Sequence, residues 1–168
     1  MAVPKKVIKF IEEKKIKYEI INHRQVFTAY DKAQTLKVHL KIIGKTLAVK
    51  LDRDFVLVLI PANRNLDKEK LKKTANVLRK KAGQKSVKTV DFAKESWMKK
   101  NLKGIKIGAT PPLGKLWKRQ TFVDSSLLKE PKIFLNSGDY EFSLKISGAN
   151  LRKIIPDSVA GNFGKAKK

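Results

Sequence analysis

Two short stretches hold residue types that could do chemistry. The first is GIKIGATPPLGK, from Gly104 to Lys115, with three glycines and two adjacent prolines in twelve residues. Gly108 and Gly114 open backbone conformations closed to other residues. Pro111 and Pro112 fix φ and carry no N–H. Gly108, Ala109 and Thr110 keep their N–H groups. A stiff loop with a few oriented amides can hold a carbonyl oxygen and stabilise the oxyanion formed when that carbonyl is attacked. The plainer reading is a rigid crossover loop with no ligand. The second stretch is GKTLAVK, Gly44 to Lys50, where Lys45 opens an alternating run. A lysine at the mouth of a strand can bind phosphate as a point charge. The plainer reading is one more solvated lysine.

Other chemistries are poorly served. The chain has no cysteine and two histidines, His23 and His39. Disulfides, thiolate catalysis and thiolate metal sites are therefore excluded, and a histidine-based metal site is not expected. GKT at 44–46 lacks the upstream glycine of a phosphate-binding P-loop, and no G-x-S-x-G elbow occurs. Asp52 and Asp54 read as turn residues. Any catalysis must rest on backbone dipoles, lysine and the substrate's own groups, with no metal and no cofactor.

The elements that must position these groups follow from periodicity. A helix is expected over Lys5 to Lys15 and a strand over Lys17 to Asn22. A short helix from Thr28 to Leu36 has Thr28 as a possible cap. Lys45 to Leu51 and Asp54 to Ile60 read as strands, the second apolar enough to be buried on both faces. Asn65 is a candidate cap for a helix from Leu66 to about Lys80, ended by Gly83. Val87 to Val90 reads as a brief strand, and Asp91 caps a helix to Lys100. Thr121 to Asp124 and Lys132 to Leu135 are short strands. Tyr140, Phe142, Leu144 and Ile146 alternate with polar residues after the turn Asn136 to Asp139, which predicts a hairpin. Ser147 caps a last helix that Pro156 stops.

These mixed elements, without regular βα alternation, predict an α+β fold with a curved, mixed or antiparallel sheet. At 168 residues and 42% apolar content the chain suits one domain with a sizeable core. That domain is expected over 1–156, followed by a basic, frayed tail over 157–168. Lys and Arg number 39 against 15 Asp and Glu, a net charge of +24. Such a field attracts polyanions, and RNA or DNA is the natural partner. No apolar run is long enough for a membrane helix and no signal-type segment is present, so a cytosolic protein is expected.

Taken in order, NHRQVFTAYDKA (22–33), GKTLAVK, LIPANRNLDKEKL (59–71), IGATPPLG (107–114), TFVDSSLL (121–128) and IFLNSGDYEFSLKIS (133–147) resemble the YbaK/prolyl-tRNA editing domain family, the aminoacyl-tRNA deacylases. The resemblance runs from about Val7 to Ile155. It implies a mixed domain on a curved, barrel-like sheet with surrounding helices. It implies hydrolysis of the ester between a wrong, usually small, amino acid and the tRNA 3′ end. The family's lysine falls on Lys45 and its G-x-x-x-P loop on Gly108 to Pro112, so the carbonyl-polarising amides would be those of Gly108, Ala109 and Thr110. Substrate contacts would fall on His23, Phe27, Pro112, Asp124, Ser137 and Gly138. Water would attack the ester, helped by the terminal ribose hydroxyl, with no side-chain nucleophile. The implied partners are mischarged tRNA and an aminoacyl-tRNA synthetase. The other reading of the same residues is a non-catalytic, basic RNA-binding protein that keeps this fold.

Overall fold

The computed structural model describes residues 2–167. Its core is a five-stranded sheet ordered β5-β2-β3-β6-β9. The strands are β2 (Gly44–Leu51), β3 (Asp54–Pro61), β5 (Val90–Phe92), β6 (Thr121–Asp124) and β9 (Val159–Gly161). The pairs β5-β2 and β2-β3 are antiparallel, whereas β3-β6 and β6-β9 are parallel, so the sheet is mixed as expected. A second, antiparallel sheet joins β1 (Glu19–Asn22), β8 (Phe142–Ile146) and β7 (Ile133–Asn136). A third pair joins β4 (Arg64–Leu66) and β10 (Gly164–Ala166).

The expectation of a barrel-like sheet is corrected. No sheet closes among the described residues. Among the described residues the two larger sheets are joined by one parallel bridge, Ile43 with Phe134, and pack together through side chains such as Leu59 and Leu135, while β5 and β9 remain as edges. Closure needs continuous pairing and matched stagger around the whole ring.

β3 shows why the sheet must be covered on both sides. Val56, Val58 and Ile60 pack against α3 (Lys68–Lys81) through Leu71 and Ala75. Leu57 points the other way, toward Leu102, Trp97 and Met98 at α4 (Glu95–Asn101). Leu59 joins the largest cluster, where Val7 and Ile11 of α1 (Lys5–Glu12), Leu127 of α5 (Ser125–Leu128) and Leu151 and Ile154 of α6 (Gly148–Ile154) cover the three-stranded sheet. Leu57, Val58, Leu59 and Ile60 are at most 1% exposed. Burial of each such side chain contributes about 1.5–3 kcal/mol, so a single Leu59→Ala change should cost about 2–5 kcal/mol.

Three local expectations are corrected. Asn65 does not cap α3, because it is paired with Lys165 in β4-β10; Asp67 is the cap and accepts from the N–H groups of Glu69 and Lys70. Asp91 is not a cap either, since it pairs with Lys50 in the sheet and α4 begins after Lys94. The segment expected as a frayed tail forms β9 and β10 instead. Phe163 between them is fully buried and sets its ring edge-on to Phe122, with centroids 5.7 Å apart. Lys168, in the same expectation, lies outside the described residues. No helix among the described residues is long and apolar enough to cross a membrane.

Candidate active site

Thr28 caps α2 (Ala29–Leu36), its hydroxyl accepting from the Asp31 N–H at 3.1 Å. Ala29 and Lys32 of α2 line one side of a cleft that Gly44 to Leu47 of β2 line on another. The loop at Gly108 and the β7-β8 turn close the other sides. Together they enclose a cleft of about 220 Å³ where the two larger sheets meet.

Lys45 lines this cleft from β2, where it is held opposite Ile60. It is half-buried and makes no hydrogen bond or ion pair among the described residues. Burial, and then the like charge of Lys167, push its ammonium below the ordinary lysine range. Beside it, the buried Oγ1 of Thr46 has no hydrogen-bond partner among the described residues.

The glycine and proline loop is clipped to the β7-β8 turn. The N–H of Gly138 donates to the Ala109 carbonyl at 2.7 Å, and the N–H of Lys106 donates to the Gly138 carbonyl at 2.9 Å. The Tyr140 hydroxyl donates to the Ile107 carbonyl. Gly138 at φ 100° and Gly108 at φ 86° adopt backbone that side chains disfavour, and this shape brings the loop to the cleft. Of the three amides expected to polarise a carbonyl, that of Ala109 is occupied, donating to the Lys106 carbonyl at 3.0 Å. The N–H groups of Gly108 and Thr110 have no acceptor among the described residues. Of these two residues, only Gly108 lines the cleft.

The remaining expected contacts divide into three groups. Phe27 lines the cleft, 60% exposed, with its ring edge-on to Tyr140 at 4.7 Å. Ser137 and Gly138 sit behind the loop. Ser137 is fully buried and donates to the Phe142 carbonyl at 2.7 Å, so the pair shapes the turn without lining the cleft. Pro112 is buried behind the same loop. His23 stands to one side, its ring nitrogens bonded to the Arg24 carbonyl at 2.7 Å and the Ser143 hydroxyl at 2.8 Å. Burial pushes the imidazole toward its neutral form, against a smaller opposing pull from the Arg24 carbonyl; the charge of Lys32 adds to the lowering.

Asp124 is not part of the cleft. One oxygen accepts from the Ser126 N–H and hydroxyl, and the other accepts from the Phe163 N–H at 2.9 Å. It caps α5 and ties down the β9-β10 connection. An acidic residue at the end of a strand serves a fold as readily as a substrate, and only the partners tell which.

Two charged cleft residues were not singled out in the sequence. Lys32, on α2, is 5% exposed and donates to Asn136 Oδ1 at 2.7 Å. Burial pushes its ammonium pKa down to about 8. The signal was present: Ala29, Lys32, Ala33 and Leu36 fall at i, i+3, i+4 and i+7, so a lysine occupies the inward stripe of a helix. Asp139 also lines the cleft and pairs with Lys106 at 2.9 Å. Burial opposes its charge, but the Glu141 N–H and Lys106 outweigh that and hold the carboxyl below its usual range.

Beyond α4 the same sheet face carries a broader groove of about 660 Å³. Phe55 stacks on Trp97 at 3.9 Å, with Lys50 6.0 Å from the first ring and Arg119 5.3 Å from the second. Phe92 is 53% exposed and has Lys68 5.1 Å from its ring centre.

The sequence matches the aminoacyl-tRNA editing domain over residues 23–154, most of the chain and every element around the cleft. The chain belongs to that family. No curated protein matches it. Among solved structures, this editing-domain chain is similar to a hypothetical protein, APE2540, with 21% identity and a TM-score of 0.78 over 96% of this chain and all of the other. It is also similar to a candidate trans-editing enzyme for prolyl tRNA synthetase, with 17% identity and a TM-score of 0.74 over 95% of each chain. At these identities the likeness speaks to the fold, a mixed α+β editing domain.

Proposed function

We propose that this protein is a free-standing aminoacyl-tRNA deacylase that removes a small non-cognate amino acid from mischarged tRNA. One observation carries the reading: Lys45, a half-buried cation without an anionic partner among the described residues, lines the same cleft as Gly108, whose N–H has no acceptor among them. A half-buried cation and a spare amide together are matched to a phosphorylated substrate with a reacting carbonyl. Lys45 holds the 3′-terminal phosphate or ribose region. The Gly108 amide polarises the ester carbonyl and stabilises the oxyanion that forms on it. Water, held by the terminal ribose hydroxyl, adds to the carbonyl carbon. The ester C–O bond then breaks, the ribose oxygen takes a proton, and free amino acid and uncharged tRNA result. Such a second site is needed because a synthetase pocket rejects a near-isosteric side chain by only about 1–3 kcal/mol.

The charge of +24 and the ringed groove beyond α4 support tRNA as the ligand. Lysines offer phosphate contacts whose strength falls with salt, and the exposed Phe92 offers a stacking face. The reading of a non-catalytic tRNA-binding protein has one observation in its favour: the Ala109 amide is already occupied, which leaves a thinner oxyanion site than the motif promises. Single-turnover hydrolysis of alanyl-, cysteinyl- and seryl-tRNA separates the two. Release from at least one pool, lost in Lys45→Ala, is the expected result. Binding of all three with release from none would establish the non-catalytic reading. Hydrolysis that appears only on adding a synthetase would assign the protein as that enzyme's accessory.

A further inference from the structure

Resting on the deacylase reading, we propose that Lys32 selects the amino acid removed, by requiring a hydrogen-bond acceptor on the acyl side chain. The cleft wall around Lys32 is rich in donors and poor in free acceptors. An ammonium has three N–H donors. Lys32 uses one of them on Asn136 Oδ1, its only hydrogen bond among the described residues. With that oxygen occupied as an acceptor, the Asn136 amide NH2 is left as a donor, and it too has no partner among the described residues. Among the described residues the one carboxylate lining the cleft, Asp139, is engaged by Lys106 at 2.9 Å and by the Glu141 N–H at 2.9 Å. None of them therefore completes the coordination of Lys32.

A buried cation without a counter-ion is unfavourable, and so are buried donors without acceptors. A bound ligand relieves both when its side chain carries an oxygen. Serine would offer a hydroxyl and aspartate a carboxylate; alanine would leave every donor unpaired. Sites built around polar partners reject an analogue lacking them far more strongly than apolar pockets reject a missing methylene. The position of Lys32 on α2, away from the β2 strand that bears Lys45, fits a division of labour. One lysine contacts the part common to all substrates, and the other contacts the part that differs.

The test uses one tRNA body charged with serine, aspartate or alanine, and reads kcat/KM for the full chain. The seryl or aspartyl ester is expected to be hydrolysed at least about tenfold faster than the alanyl ester. Which of the two is faster tells whether the site takes a hydroxyl or a carboxylate. Lys32→Met should abolish that preference by slowing the favoured seryl or aspartyl ester at least about tenfold relative to the alanyl ester. Equal rates for all three esters on the unaltered protein would overturn the proposal without any variant. Equal slowing of all three by Lys32→Met would also overturn it, assigning Lys32 to the common tRNA end. No hydrolysis of any ester would instead remove the deacylase reading on which the proposal stands.

Discussion

Asp124 and Lys32 are each only 5% exposed, yet their surroundings differ completely. Asp124 receives three donors on two oxygens, from Ser126 and Phe163. Lys32 gives one proton to Asn136 and keeps two. A buried charge fully coordinated by its own chain is a fastener. A buried charge left incomplete at the wall of a cleft is unfavourable until a ligand completes it, which is the role we propose for Lys32. The same contrast separates Ser137 and Gly138, consumed in holding the loop, from Lys45 and the Gly108 amide, which have no hydrogen-bond partner among the described residues.

The largest effect should come from the fastener. Asp124→Ala leaves the buried Phe163 N–H unpaired and removes the α5 cap that holds the N–H and hydroxyl of the exposed Ser126, and should cost about 3–4 kcal/mol of unfolding free energy in denaturant titration. Deacylation per folded molecule should persist; its loss would place Asp124 in the chemistry and break the contrast. Next is Lys32→Met. The pKa of Lys32 is about 8 in the folded protein against 10.5 in the unfolded chain. Below pH 8 both states are protonated and the folded state bears the full cost of the buried charge. Between pH 8 and 10.5 the unfolded chain holds the extra proton, so stability rises with pH, by about 3 kcal/mol in total. Lys32→Met should be more stable than the parent at pH 7, with the gap closing toward pH 10.5. Parallel pH profiles for the two proteins would show Lys32 to be already satisfied.

Lys45→Ala should reduce single-turnover deacylation about 100-fold, with unfolding free energy changed by less than about 0.5 kcal/mol. A large loss of stability would make Lys45 a fastener too. Gly108→Ala has space, since a Cβ there would meet nothing nearer than the Phe27 carbonyl oxygen at 3.9 Å. The penalty is conformational, about 1–2 kcal/mol, and the displaced amide should slow deacylation about tenfold. The smallest effect is expected at Phe92→Ala, which should weaken tRNA binding about fivefold and leave the salt slope unchanged, because stacking releases no counter-ions.

Much of this was legible in the residues. Thr28 and Ser147 cap helices, donors and acceptors lying within one turn of sequence. The alternation in β2 and β8 and the unbroken apolar run of β3 forecast their burial, because those patterns depend on a strand's own period. The misassigned helix starts share a cause. Asn65 and Asp91 are good caps locally, but each was claimed by a strand partner distant in sequence, Lys165 and Lys50. The tail read as frayed because its apolar content is low. One residue, Phe163, anchors it by filling a cavity that other segments create.

By itself the sequence determined the mixed α+β class, most strands, the caps at Thr28 and Ser147, the absence of thiol chemistry and the strong positive charge. Each of these depends on residue type or on neighbours within a turn or two. The tertiary structure alone decided that the sheets stay open, that Asp124 is a fastener, that the Ala109 amide is spent internally, and that Lys32 faces the cleft with donors to spare. Those outcomes depend on which distant groups come within about 3 Å of one another, and hydrogen-bond coordination falls away over a fraction of that distance.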